Sequence, residues 1–119
     1  MMMNELLGEF ERPDWFKYPA EFLQELERDV VDIGPWQFLS GQWLSVRHEG
    51  LKKRFPDRNL VPFARRLDND DIACWEQGKA GGICIVHDFS APGWEDRENY
   101  PSFEAWYIAA KEEAKDYDA

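Results

Sequence analysis

Apolar and polar residues follow a β-hairpin pattern in the middle of the chain. Two short apolar runs, residues 72–75 and 83–86, are separated by a glycine-rich segment at residues 78–82. The runs are rich in β-branched, aromatic and cysteine side chains, and turn-forming residues lie on both sides of each run. We therefore predict that the two runs pair antiparallel, with Cys74 opposite Cys84.

Two stretches before the hairpin show the spacing of amphipathic helices. The first opens at Pro19, which suits the first turn of a helix, and ends at Gly34. Its apolar face consists of Phe22, Leu23, Leu26 and Val30. The second begins at residues 40–41, and its recurring residues are Leu44, His48, Leu51 and Phe55. Residues 36–39, between them, are predicted to form a short strand or a helical turn.

A strand and a last helix are predicted on either side of the hairpin. Residues 60–64 form the strand, and Pro62 favours an edge position because proline has no N–H for the ladder. Residues 88–101 are predicted to be a loop. Ser102 is a suitable N-cap for the last helix. The apolar stripe of that helix consists of Phe103, Trp106, Tyr107, Ala110 and Ala114.

The chain is strongly acidic, but its charge is uneven. Of a net charge of −10, residues 47–66 contribute +5, from seven basic and two acidic residues, and the remainder contributes −15. An acidic surface repels phosphate backbones and anionic lipid and attracts basic proteins, although solubility alone also explains it. We expect no direct nucleic-acid contact and interpret the basic segment as a solvated helix face with ion pairs. The alternative is a nucleic-acid patch that stacks bases on Phe55 and Phe63.

The length of 119 residues predicts one domain that spans residues 1–119. No apolar run approaches the roughly 18 residues of a membrane-spanning helix, and the first ten residues do not resemble a secretory signal. We therefore predict a cytoplasmic protein without membrane contact. In a reducing cytosol, Cys74 and Cys84 are expected to remain free thiols.

The sequence contains partial matches to three kinds of site: a calcium loop, an acid–base pair and a zinc site. Residues 68–71 are acidic, but the later ligand positions of a calcium loop are missing, so we interpret them as an Asx-rich turn. His87 and Asp88 could form an acid–base pair, but a structural histidine bonded to a carboxylate is the better interpretation because no nucleophile motif accompanies them. The paired spacing of a zinc site is also missing. We predict no catalytic residue, metal ligand or cofactor.

The loop after the hairpin is the predicted partner-binding site. Trp94 follows Pro92 and Gly93, and four carboxylates lie nearby in the chain. These acidic residues are Asp88, Glu95, Asp96 and Glu98. A tryptophan with an acidic rim is typical of an interface anchor, and it is equally consistent with a side chain that folds back to cap the core.

Several motifs follow one another in residues 60–106: Pro62-Phe63-Ala64, an acidic turn with Asp71, a strand at residues 83–86 followed by His87, and Ser102-Phe103 opening a helix with Trp106. Their order resembles the SUKH superfamily, which includes the Smi/Knr regulators of fungal cell-wall synthesis and many bacterial immunity proteins. Asp70 departs from the pattern, since the family has a glycine there.

The resemblance implies an α+β domain in which helices pack against a mainly antiparallel sheet, and it implies no catalysis. Bacterial members are thought to neutralise toxins, many of them nucleases, by binding them. The first hypothesis is therefore an immunity-type module that binds a basic toxin domain. The alternatives are a regulatory or scaffold protein linked to cell-wall synthesis and a small hydrolase that uses His87 and Asp88. The oligomeric state is left open.

Overall fold

Six strands and three helices make up the part of the chain that the computed structural model describes, residues 6–7, 12–28, 32–91 and 93–117. In chain order they are α1 (Ala20–Glu27), β1 (Asp32–Ile33), β2 (Trp36–Phe38), α2 (Gly41–Arg54), β3 (Leu60–Arg66), β4 (Asp71–Glu76), β5 (Ile83–His87), β6 (Asp96–Tyr100) and α3 (Phe103–Tyr117). The predicted α+β class is confirmed.

The strands form an antiparallel meander in which each strand pairs with the next along the chain, from β1 to β6. The predicted hairpin is confirmed as β4 and β5, and Cys74 lies opposite Cys84 in the register. Because sequential strands are neighbours, each connection except that between β2 and β3 needs only a short turn or loop. That one connection contains α2.

Side chains of the sheet alternate between two helical layers, as successive residues of a strand must. Ala73, Trp75, Ile83 and Ile85 pack in the core with residues of α1 and α3. Ile72, Cys74, Cys84 and Val86 pack in a second cluster with Leu51 of α2 and with Phe55. The sheet therefore lies between α2 on one face and the α1–α3 pair on the other.

Aromatic rings fill the core between the sheet and the α1–α3 layer. Phe63 lies at the centre, with ring centroids 4.5 Å from Trp75 and 4.8 Å from Trp106. The predicted docking of α3 is confirmed, since Phe103 and Trp106 are buried. Its N-cap is confirmed too, because the N–H of Ala105 donates to Ser102 Oγ at 3.1 Å.

The two helices predicted before the hairpin are confirmed at their starts, because α1 begins one residue after Pro19 and α2 begins at Gly41. The predicted extent of the first helix, as far as Gly34, is wrong: α1 ends at Glu27, and Asp32–Ile33 pairs with β2 as strand β1. Phe22 is buried, whereas Leu23 is 39% exposed. Val30, the last residue of the predicted apolar face of α1, lies outside the described residues. No described helix is long and apolar enough to cross a membrane.

The prediction that residues 60–64 form an edge strand is wrong in its position. β3 lies inside the sheet, between β2 and β4. Pro62 pairs with Cys74 on one side, next to a register shift, and β2 extends only as far as Ala64 on the other side. Proline is tolerated there because its missing N–H lies beyond the end of β2 and beside a bulge.

The prediction that residues 88–101 are entirely loop is also wrong, because β6 lies within them. The five residues of β6 are mostly exposed and polar, so they lack the apolar alternation that predicts a strand. Backbone pairing with β5 defines the strand, and its charged side chains at the edge oppose uncontrolled pairing with other chains.

Candidate functional site

The segment between β5 and β6 is anchored at its start by a buried carboxylate. The side chain of Asp88 is fully buried, although His87, the strand residue before it, is partly exposed. It accepts hydrogen bonds from Arg47 Nη1 at 2.8 Å, from Arg54 Nε and Nη2 at 2.5 and 2.7 Å, and from the N–H of Phe89 at 3.0 Å. Both arginines belong to α2, so Asp88 ties this helix to the end of β5.

A second ion-pair network anchors the other end of the segment. Arg58 forms a two-point contact with Glu76, at 2.7 and 2.9 Å, and also contacts Glu95 at 2.9 Å and Asp96 at 2.7 Å. The hydrogen bond with Glu76 raises the pKa of Arg58 well above its ordinary value, against the effect of burial. Three carboxylates therefore share one guanidinium, which leaves the network with an excess of negative charge.

Glu95 is buried and holds the turn that precedes it. Its carboxylate accepts the N–H of Gly93 at 2.6 Å in addition to the Arg58 contact. Burial alone would raise the pKa of Glu95, but the hydrogen bonds from Arg58 and Gly93 and the charge of Arg58 outweigh it, so the pKa lies below the ordinary value of a glutamate. Gly93 has a φ of +97°, a conformation that favours glycine.

Trp94 projects from this anchored segment into solvent. Its side chain is 82% exposed, and its backbone N–H donates to the carbonyl of Ala91 at 3.0 Å. Of the two interpretations of this side chain, a cap on the core is therefore excluded in this conformation. Pro92, which precedes the turn, lies outside the described residues.

The five predicted partner-binding residues divide into two groups. Trp94, Asp96 and Glu98 are exposed, and Glu98 accepts a hydrogen bond from the hydroxyl of Tyr100 at 2.7 Å. Asp88 and Glu95 are buried and ion-paired, so they hold the segment in place and cannot contact a partner directly. The charged rim predicted around Trp94 is therefore smaller than its sequence indicates.

His87 and Asp88 do not form an acid–base pair. His87 Nδ1 lies 2.9 Å from a carboxylate oxygen of Asp71, across the strand pair, and Arg97 lies 3.4 Å from the same oxygen. The interpretation of His87 as a partly buried histidine bonded to a carboxylate is thus confirmed, with a different partner. The Asx turn is also confirmed, since Asn69 Oδ1 accepts the N–H of Asp71 at 2.7 Å. Among the described residues, no His, Cys, Asp and Glu cluster could hold a metal ion.

The basic segment is largely occupied by ion pairs, as expected. Arg47 and Arg54 contact Asp88, Arg58 contacts three carboxylates, and Arg66 contacts Asp68 and Glu113. The aromatic residues considered for base stacking are unsuitable for it, because Phe55 and Phe63 are both buried. This arrangement supports the interpretation of the segment as structural.

A groove beside α2, lined by residues of this helix and by Leu39, Arg65 and Phe89, was not predicted from the sequence. It encloses about 610 Å³ and is bordered by the exposed apolar side chains of Trp43, Val46 and Phe89. The available signal was that Trp43 and Val46 are one helical turn apart and lie off the buried stripe of α2. Nothing in the sequence indicated that Phe89 would lie beside them.

Comparisons with protein-family models, with curated proteins and with solved structures found no match for this chain. The resemblance to the SUKH superfamily therefore remains a prediction that rests on the order of the motifs between residues 60 and 106.

Proposed function

We propose that the protein is a non-enzymatic binding module of the immunity-protein type, which neutralises a basic toxin domain by contacting it through Trp94 and the adjoining β6 edge. The observation that carries this proposal is the exposure of Trp94, 82%, on a segment whose two ends are held by buried ion pairs. Exposed tryptophans are unfavourable in water, and they are enriched among the residues that dominate binding energy.

The anchoring of the segment supports a role in binding because it reduces the entropic cost of association. Asp88 holds the start of the segment on α2, and Glu95 fixes the residue before Trp94 through the N–H of Gly93. An aromatic anchor that is already positioned loses less conformational freedom when a partner covers it. The two buried carboxylates would therefore contribute to affinity indirectly.

The charge beside Trp94 favours a basic partner. Glu76, Glu95 and Asp96 exceed the single positive charge of Arg58, and Glu98 adds an exposed carboxylate two residues along β6. Such an excess attracts a positively charged surface over roughly one Debye length, about 8–10 Å. Nuclease toxins bind phosphate backbones with basic clefts, which agrees with the function implied by the resemblance.

Co-expression with toxin domains encoded beside the gene tests the proposal. The chain should restore growth of cells that produce the correct toxin, and the purified proteins should form a complex. In kinetic binding measurements, Trp94→Ala should mainly speed dissociation. The pair Asp96→Lys and Glu98→Lys should mainly slow association and reduce its salt dependence.

Matched controls separate binding from folding. Trp43→Ala removes another exposed tryptophan, and Glu112→Lys with Asp116→Lys makes the same charge change on α3. All variants should keep the unfolding midpoint of the parent within a few degrees. If the folded Trp94 and β6 variants bind and protect like the controls, the proposed interface is wrong. If no neighbouring toxin is bound, the immunity function is wrong.

A further inference from the structure

Three exposed apolar side chains line the groove beside α2. Trp43 is 75% exposed and Val46 is 60% exposed, and they lie one helical turn apart. Phe89, 61% exposed, adds a third apolar side chain from the segment after β5. Single exposed apolar residues are ordinary, but several that line one concavity are typical of a docking site.

The backbone holds Phe89 in this position at a conformational cost. Its φ is +69°, in the left-handed region that residues with a side chain seldom adopt. The buried carboxylate of Asp88 accepts the N–H of Phe89, and the guanidinium of Arg54 lies 4.2 Å from the centre of its ring. The residue is therefore fixed in an exposed and strained conformation, which is a recurrent feature of binding sites.

Gly50 allows Arg54 to reach this ring. A Cβ at position 50 would lie 2.5 Å from Arg54 Nη2 and 2.9 Å from Nη1, so a larger residue would displace the guanidinium. Glycine in a helix interior is unfavourable, and here it leaves space for the arginine to fold across the groove wall toward Asp88. Gly50 thus leaves room for the Arg54 guanidinium in the groove, although it lowers the helix propensity of α2.

The groove is positively charged on a chain that is otherwise acidic. Its lining includes the cations Arg47, Lys53, Arg54 and Arg65. Among the described lining residues, Glu49 is the one acidic residue. Asp88 is not in the lining, but its carboxylate pairs with Arg47 and Arg54. Four positive and two negative charges leave a balance of +2, whereas the whole chain carries −10.

From this combination we propose that the groove docks an acidic peptide segment of a partner protein, with one aromatic or large aliphatic side chain placed against Trp43, Val46 and Phe89. The three apolar side chains would cover that side chain, and the cationic residues of the lining would attract carboxylates on either side of it. The site is separate from Trp94 and serves a second partner, so Trp43→Ala leaves binding through Trp94 unchanged.

An acidic peptide fits the groove better than a nucleic acid does. A polynucleotide carries a phosphate at every step, and its affinity depends on many cationic contacts along a track. Here the groove has a charge balance of only +2, and the chain outside residues 47–66 carries −15. A short peptide can place its negative charges beside the cationic lining residues alone and avoid the acidic remainder.

Panning a phage library of random 12-residue peptides against the folded protein tests the proposal. We expect enrichment of sequences that combine several Asp or Glu residues with an aromatic or large aliphatic residue. The best of these, synthesised with a fluorescent label, gives a dissociation constant by polarisation. Trp43→Ala should weaken that binding by about tenfold or more. Lys53→Glu should weaken it by about threefold to tenfold and reduce its salt dependence.

The chain offers a matched control for each variant. Lys115→Glu makes the same charge change on α3, outside the groove lining and on the opposite face of the sheet, and Trp94→Ala removes a similarly exposed tryptophan from the other surface. Both should leave peptide affinity within about twofold. Because loss of the Trp94 interface leaves this assay unaffected, failure of the groove proposal and failure of the proposed function are distinguishable.

Four results would overturn the proposal. They are the absence of any enriched peptide, enrichment of basic or uncharged peptides, equal effects of the groove variants and their controls, and preferential binding of a labelled oligo(dT) strand that Trp43→Ala abolishes. Self-association at high concentration that is lost in Trp43→Ala would assign the groove to a second copy of the chain, and it would also contradict the proposal.

Discussion

Asp88→Asn tests the contact that joins α2 to the end of β5. The carboxylate of Asp88 is fully buried and accepts four hydrogen bonds, from Arg47, Arg54 and the N–H of Phe89. Asparagine has nearly the same shape but only one acceptor oxygen. Its amide group would point donor hydrogens at a guanidinium that also only donates. Two cations would then lose their common counter-charge without a change in volume.

The expected loss follows from the exposure of the two arginines. Removing one partner of a fully buried ion pair costs about 3–5 kcal/mol. Here the side chains of Arg47 and Arg54 are 20% and 30% exposed, so both guanidinium groups can gain water after the substitution. We therefore expect a loss of about 2–3 kcal/mol in the free energy of unfolding.

Urea denaturation of the parent and the variant, followed by far-ultraviolet circular dichroism, measures this difference. The slope of free energy against urea should stay constant while the midpoint falls. Asp96→Asn is the matched control, because Asp96 is 67% exposed and contributes one of three carboxylates to Arg58. It should cost less than about 1 kcal/mol. Equal losses in the two variants, or a loss below about 1 kcal/mol for Asp88→Asn, would refute the anchoring role.

Three further predictions concern the core, the thiols and the acid limb of stability. Trp106→Ala should cost about 3–5 kcal/mol in urea denaturation, because Trp106 is buried against Phe63; a loss below about 1 kcal/mol would mean that α3 is not docked. Mass spectrometry after denaturing, non-reducing alkylation should find both Cys74 and Cys84 modified, and a two-hydrogen deficit without modification would reveal a bridge. Native alkylation should be slow, since burial raises the pKa of Cys84 to about 12. Because the folded pKa of Glu95 is lowered, its stabilisation is present above about pH 4.5 and lost on acidification below it. Glu95→Gln should therefore flatten the fall in unfolding free energy below that pH, and an unchanged acid limb would contradict the assignment.

The predictable part of the fold is the part where one periodicity dominates. The hairpin was predictable because alternation, turn residues and strand length agree, and α3 because Ser102 precedes a regular apolar stripe. Cross-strand pairing of Cys74 and Cys84 followed from the symmetric position of the turn alone. In these segments local preference and tertiary packing point to the same structure.

The missed parts are those where tertiary pairing overrides local preference. β6 has a polar sequence without alternation, and it becomes a strand because β5 offers an unpaired edge. Pro62 indicated an edge, but its position relative to the end of β2 depends on which strand pairs where. Neither fact can be derived from a window of neighbouring residues.

In the candidate site, too, the sequence does not show which charged side chains are buried. Because Asp88 and Glu95 are close to Trp94 in the sequence, both were predicted to belong to an acidic rim around it. Their charges follow from the sequence. Burial, however, depends on Arg54 and Arg58, which lie more than thirty residues earlier in the chain. A carboxylate that meets an arginine inside the protein stabilises the loop, whereas one that remains in solvent can attract a partner. Arginines of the basic segment are therefore paired with carboxylates of the acidic loop, as Arg54 is with Asp88 and Arg58 with Glu95. Charged residues outside these ion pairs remain available to attract a partner.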